Sequence, residues 1–437
     1  MRSIRAGMIG FGTVGAGVVK ILQKNARLIE ARMGARLVLK RIADIDLKRD
    51  RGVRVRPELL TENAEEILQD PEVDIVMELI GGIEPARTFI LKAIQNGKHV
   101  VTANKALLAL HGDEIFQMAE RHGVNVNFEA SVAGGIPLIR SIKEGLVANR
   151  IQSIFGILNG TSNYILTKMT DEGRSFQEVL KEAQEKGYAE ADPTYDLEGI
   201  DAAHKLTILI RLAFGTRIRF KDIFIDGISA ITPLDLQFGK EFGYRVKLLA
   251  IAKIENGKIE ARVHPTFVPE GHLLATVGGV FNAVYIQGDA VGPTLFYGQG
   301  AGQMPTGSAV VSDLVDLGRN LLGCAEGQKA PLRSDRPSAL ERLPLKKMEE
   351  VEMPYYMRFS ALDRPGVLSQ ISGILGRNGI SIASVIQKGR KVDGAVPVVM
   401  MTHEARERSV HQALKEIDRL KVILGKTVFI RVENELE

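Results

Sequence analysis

The chain opens on a short apolar run, Ile4 to Ile9, that passes directly into Gly10-Phe11-Gly12-Thr13-Val14-Gly15, and from Ala16 to Met33 apolar positions recur at helical spacing. A short apolar run, a glycine turn and a period of 3.6 predict strand, turn and helix in that order. Further strands are predicted at Leu37–Ala43, Val73–Leu79 and His99–Ala103, with a helix over Ala106–His122. Strands alternating with helices in this way predict a doubly wound parallel sheet. From about Arg140 to Leu322, strands such as Ile151–Leu158 and Ala283–Gly288 mix with helices such as Phe176–Lys186 and Thr306–Leu322. That pattern predicts a sheet partly covered by helices, with Ala309–Leu322 returning to pack on the first unit.

Between Ala330 and Glu352 the composition shifts, and Pro331, Pro337 and Pro344 punctuate a charged stretch that reads as a linker. Beyond it the order is strand Tyr355–Ala361, helix Pro365–Arg377, strands Ile380–Gln387 and Val396–Thr402, helix Ala405–Leu420 and strand Val428–Val432. This βαββαβ order is ferredoxin-like. Pro365 suits a first helical turn and Gly379 a helix stop. The fold class expected is therefore α/β, in three modules. Residues 1–135 are expected to form a doubly wound domain completed by a helix around 306–322, 136–322 a mixed domain of sheet and helices, 323–353 a linker, and 354–432 a ferredoxin-like domain.

With 437 residues, 45% hydrophobic content and 44 glycines, the chain can bury a large core. The 57 basic and 53 acidic side chains leave a charge of +4 with no basic arm, which argues against a nucleic-acid partner. The lone Cys324 cannot form an internal disulfide, and the apolar start is too short for a signal peptide, so a cytoplasmic location is expected. No apolar run is long enough to span a membrane.

The glycine loop carries specific chemistry. Gly10 permits the tight turn, Gly12 lets backbone N–H groups approach a pyrophosphate, and Gly15 allows close helix packing above a helix N-terminus of positive potential. Asp44 or Asp46, after the second strand, can hold the ribose 2′-hydroxyl of NAD. Lys48, Arg49 and Arg51 follow closely and can neutralise the 2′-phosphate of NADP, or they form a solvated charged loop, so both cofactors stay open.

The stretch EADPTYDLEGIDAAHK places Glu190, Asp192, Asp196, Glu198 and Asp201 just ahead of Lys205. From Gly199 onward the residues read as a helix, so Asp201 and Lys205 share one face. A lysine beside acids can bind a zwitterion or pass a proton. The spacing lacks the regularity of a calcium loop. Thr102-Ala103-Asn104-Lys105 ends a strand at the edge where parallel sheets deliver side chains to ligands. Without its neighbours, Lys105 reads as a surface lysine that opens a helix. Asn127 to Pro137 reads as a strand running into a glycine turn, and Ile157 to Thr161 as a strand ending in an Asn-Gly turn, either an ordinary connection or a substrate loop. Gly298 to Gly302 can approach a cofactor or simply admit close packing.

Six ordered motifs, GFGTVG, VVTANKALLA, NFEASVAGGIP, ILNGTSNYIL, GYAEADPTYDLEGIDAAHK and YGQGAGQMPTGSAVVSDL, resemble the homoserine dehydrogenase family over roughly residues 1–330. The DRPGVL and NGISI segments resemble the ACT domain, an amino-acid-binding regulatory module. The first resemblance implies reversible, nicotinamide-dependent interconversion of aspartate semialdehyde and homoserine. It implies a catalytic Lys205, a second active-site lysine at Lys105, Asp201 near the reacting hydroxyl, and Glu190, Asp196 and Thr161 at the substrate. It also implies cofactor contacts from Gly10, Phe11, Gly12, Thr13, Val14, Gly15, Asp44, Thr102, Lys105 and Gly302. A sodium or potassium ion is implied at Glu129, Val132, Gly134 and Ile136, where carbonyl oxygens suit a hard cation. The ACT resemblance, on an enzyme of this pathway, points to L-threonine as effector, and a homodimer or homotetramer is expected. The competing readings are another oxidoreductase of an amino-acid semialdehyde and a non-catalytic amino-acid sensor. Cys324 is a poor nucleophile for acylating chemistry, and in a sensor both lysines and the acid loop would be idle.

Overall fold

Six parallel strands, β1 (Ser3–Ile9), β2 (Arg36–Ala43), β3 (Leu60–Thr61), β4 (Ile75–Glu78), β5 (His99–Thr102) and β6 (Val126–Asn127), pair in the order β3-β2-β1-β4-β5-β6. The computed structural model to which they belong describes residues 3–325, 343–389, 394–434 and 436. The order steps away from β1 in both directions, so the carboxyl ends of β1 and β4 flank the switch point where ligands of such sheets bind. Helix Thr13–Met33 packs on helix Gln303–Ala325. A Cβ on Gly17 would lie 2.0 Å from the Gln303 carbonyl oxygen and one on Gly307 would lie 2.9 Å from the Gly17 carbonyl carbon. Both backbones therefore meet where no side chain fits. Val310, Leu314 and Leu317 share a core with Ile4, Met8 and Val18.

The chain divides into two compact units. One holds residues 1–151, 204–220 and 288–342, and the other 152–203, 221–287 and 343–437. Within the second, strands pair in the order Phe281–Gly288, Ile151–Ile157, Tyr244–Glu255, Lys258–Pro269, Val428–Val432, Tyr355–Leu362, Ala395–Thr402 and Ile382–Gln387. The last four strands and helices Val367–Arg377 and Glu407–Ile417 are the ferredoxin-like module, in the order expected. Its final strand pairs in parallel with Lys258–Pro269, matching Thr266 with Arg431 and Phe267 with Val432. One sheet thus runs through both modules of this unit.

Three expectations are corrected. The stretch read as a linker is structured where it is described, because Lys346 donates to the Ile259 carbonyl, Ile259 donates to that of Pro344, and Glu352–Met353 pairs with Ala405–Arg406. Residues 326–342 of that stretch lie outside the described residues. Pro365 precedes its helix, which begins at Val367 after Gly366 at φ +85°. Asn159-Gly160 is not a sheet turn, since Asn159 caps the helix Gly160–Glu172 by accepting from Ser162 N at 2.8 Å. Among the described residues, no helix is long and apolar enough to cross a membrane.

Candidate active site

The glycine loop sits between β1 and helix Thr13–Met33. Gly10 has φ +102°, and a Cβ there would lie 2.6 Å from the Leu79 carbonyl carbon, so only glycine makes this turn. A Cβ on Gly12 would meet nothing within 4 Å, which leaves the helix N-terminus, with Thr13, Val14 and Gly15 in its first turn, open to an anion. Phe11 N donates to Asp44 Oδ2 at 2.5 Å, and Asp44 Oδ1 accepts from Arg51 at 3.1 Å and from Asp46 N at 2.9 Å. The Arg51 guanidinium, largely buried, lies 4.8 Å over the Phe11 ring. Asp44 is thus neutralised by Arg51 rather than presented bare. Gly302, at φ +128°, precedes the helix that packs on Gly17, beside the loop.

At the ends of β4 and β5, Thr102 Oγ1 donates to buried Glu78 at 2.7 Å, and the Glu78 carboxylate also accepts from Ile80 N and Gly81 N. Burial raises the Glu78 pKa against those bonds. Asn104 caps the helix Lys105–His122 by accepting from Leu107 N at 3.1 Å, and its amide donates to the Gly82 carbonyl. Lys105 is therefore the first residue of a firmly capped helix. Arg211 pairs with Asp113 and lies 4.9 Å over the Phe116 ring, which ties this helix to Ile200–Phe214, the helix that carries Lys205. Lys205 is buried, as is His204, whose ring stacks on Phe220 at 4.4 Å.

The acid-rich loop is held by the start of helix Gly160–Glu172. Asn159 Nδ2 donates to Asp196 at 2.6 Å and to Asp201 at 2.9 Å. Thr161 Oγ1 lies 3.0 Å from the other Asp196 oxygen and 2.7 Å from the Tyr188 carbonyl. Ser162 Oγ donates to the Asp196 carbonyl at 2.7 Å. The structure thus brings together Thr161, Asp196 and Asp201, with Asp201 one helical turn before Lys205. Glu190 is exposed, and its carbonyl accepts from Gln184 at 3.2 Å. Asn159, Glu78 and Asn104 escape a reading for charged chemistry. Their signals are polar residues at the ends of apolar runs, directly before a helix or at the end of a strand.

The loop after β6 buries two carboxylates. Glu129 accepts from Ile139 N at 2.8 Å and Arg140 N at 2.9 Å, while its own N–H donates to Asp313 at 2.8 Å. Burial and the Glu129 charge push Asp313 up to about 7, and burial raises Glu129 as well. Val132 and Gly134 are buried, Ala133 and Gly134 have φ of 55° and 42°, and the Ile136 carbonyl accepts from Leu138 N at 2.7 Å. The Glu129 carboxylate is thus committed to two backbone donors.

Comparison with known proteins supplies the context. A family model described as homoserine dehydrogenase matches residues 137–315, one described as the NAD binding domain of homoserine dehydrogenase matches 10–129, and an ACT domain model matches 355–422. The homoserine dehydrogenase of Pseudomonas aeruginosa is 47% identical over 436 residues, covering 99% of each chain. The crystal structure of a homoserine dehydrogenase from Thiobacillus denitrificans superposes with a TM-score of 0.94 at 48% identity, covering 100% of this chain and 99% of the other. A hyperthermophilic archaeal homoserine dehydrogenase in complex with NADPH superposes with a TM-score of 0.61 at 26% identity, covering 72% of this chain and 97% of the other.

Proposed function

Because the chain belongs to the homoserine dehydrogenase family of NAD(P)-dependent oxidoreductases, we propose that Lys205 moves the proton, Asp201 orients that lysine, and Glu190, Asp196 and Thr161 hold the substrate. The reaction interconverts L-aspartate 4-semialdehyde and L-homoserine. When bound, the reduced nicotinamide supplies the hydride. Reduction leaves an alkoxide oxygen, which a cationic Lys205 first polarises as the carbonyl and then protonates. In the oxidative direction Lys205 takes that proton from the hydroxyl. Lys105 serves as the second active-site lysine, on a helix that the Arg211–Asp113 pair joins to the helix of Lys205. Glu190 faces the α-ammonium as its counter-charge.

The observation that carries this reading is the Asn159 amide, which holds Asp196 and Asp201 together just ahead of Lys205. The glycine loop and the helix N-terminus behind it hold the cofactor pyrophosphate, with Gly302 alongside and Thr102 and Lys105 toward the nicotinamide. The Arg51–Asp44 pair supports NADP over NAD, since a neutralised Asp44 does not repel a 2′-phosphate. A sodium or potassium ion at the carbonyls of Glu129, Val132, Gly134 and Ile136 is supported by the buried pair Glu129 and Asp313, whose charge a cation offsets. The C-terminal module takes L-threonine as effector, the assembly is a homodimer or homotetramer, and the compartment is the cytoplasm, in keeping with an amino-acid biosynthetic enzyme. The test compares homoserine with 4-hydroxybutanoate, which lacks the α-ammonium. Loss of at least about 10²-fold in kcat/KM is expected, as for other sites whose charged partner is left unpaired, and equal turnover of the two would overturn the reading.

A further inference from the structure

We infer that Arg431, on the last strand of the C-terminal module, is a positioning residue for the substrate loop of the catalytic module, acting through the segment Phe224–Ser229. The inference rests on the reading that the loop from Glu190 to Asp201 binds substrate.

Arg431 is 2% exposed, and its guanidinium is engaged on every side. Nε donates to both Glu407 oxygens at 3.1 and 3.2 Å, a second nitrogen also meets Glu407, and Nη1 donates to Asp226 at 3.2 Å. The Phe224 and Phe429 rings lie 4.7 and 5.1 Å from it. A planar cation with its edge hydrogen-bonded and two rings beside it has little freedom to rotate. It therefore fixes Phe224 and Asp226 to a helix of the C-terminal module, the one that carries Glu407.

The next residues press on the substrate loop. Ile228 N donates to the Leu197 carbonyl at 2.9 Å, and Ser229 Oγ donates to Glu198 at 2.6 Å. A Cβ on Gly227 would lie 2.4 Å from Glu198 Oε2 and 2.7 Å from the Leu197 carbonyl oxygen, so the two backbones abut. Leu197 and Glu198 stand between Asp196 and Asp201, the two acids that Asn159 holds. A movement at Asp226 therefore bears on the backbone between those two acids. Lost packing at a distant surface would lower stability alone, whereas this contact chain ends on Leu197 and Glu198, the residues that follow Asp196.

The experiment is steady-state kinetics on the full chain for Asp226→Asn, Arg431→Lys and the double variant. Each single change is expected to raise the homoserine KM by roughly tenfold while cofactor KM stays put, and the double is expected to match the larger single effect, as contacting residues that act as one do. Asp226 is half-exposed, so its variant folds even if Arg431→Lys does not. An unchanged homoserine KM in Asp226→Asn, or effects that simply multiply in the double, would overturn the inference. Glu190→Gln and Asp196→Asn separate the two levels. If they raise the homoserine KM and Asp226→Asn does not, the relay alone fails; if they leave it unchanged too, the substrate loop reading fails with it.

Discussion

The Asn159 side-chain nitrogen stands 2.9 Å from the Asp201 carboxylate, and the same nitrogen stands 2.6 Å from that of Asp196. Two carboxylates that would repel each other are thereby held by one neutral donor, on a residue that also caps its own helix. Asn159→Ala removes both bonds and the cap together, and Asn159→Asp adds a third negative charge. Both variants are expected to lose about 10²-fold or more in kcat/KM for homoserine, with Asp the worse, because misplacement near the chemistry has costs of that size. Retention of wild-type kcat/KM in Asn159→Ala would show that the acids hold their places unaided.

Arg51 carries the cofactor argument. Arg51→Leu leaves Asp44 bare beside the loop and is expected to raise KM for NADP about tenfold more than KM for NAD, as a like-charge approach of a 2′-phosphate would. Parallel titration with the two cofactors reads this directly. Equal changes in both would mean that Arg51 only shapes the loop.

Removal of the C-terminal module is expected to damage the catalytic module. Strand Lys258–Pro269 carries Glu260, Arg262 and His264, all buried, and Arg262 donates to Glu433 at 2.9 Å across the junction. A chain ending at Ala325 exposes that strand edge with its unpaired backbone donors and acceptors, and removes the Glu433 partner of Arg262. The expected result is aggregation or a much lower melting temperature. A soluble truncated chain with the full-length melting temperature would contradict it.

Glu407 sets an acid limit on stability. Burial opposes its ionisation, but hydrogen bonds from His411, Arg431 and Tyr355 outweigh burial and hold its pKa at about 2, against 4.5 ordinarily. A depressed carboxyl pKa contributes stability above the unfolded value and loses it as pH falls through the folded one. The contribution, roughly 3 kcal/mol, is therefore intact above about pH 5 and fades between about pH 4.5 and 2. Urea unfolding across that range should show the slope, and Glu407→Gln should flatten it. An identical pH profile in the variant would remove Glu407 from the account.

Local signals made much of this legible. The apolar run, glycine turn and helix from Ile4 to Met33 announce themselves by period, and Asp201 and Lys205 share a helix face by spacing alone. Residues whose role depends on distant partners were opaque. Asn159-Gly160 reads as a turn because nothing nearby shows that Asp196 and Asp201 wait 37 and 42 residues on. Glu78, at the end of an apolar strand, finds Thr102 on the neighbouring strand, 24 residues away. Strand Lys258–Pro269 goes without a prediction, and its residues alternate charged and apolar, a pattern usual for one face in water. That charged face is instead covered by the C-terminal module, 171 residues later in the case of Arg262 and Glu433.

The most direct test is turnover of homoserine by Lys205→Ala, with cofactor binding followed separately. Lys205 is taken to move the proton and not to hold the cofactor, so kcat is expected to fall by about 10² or more while the cofactor dissociation constant stays within about twofold. A variant that turns homoserine over at near the wild-type rate would contradict the account at its centre.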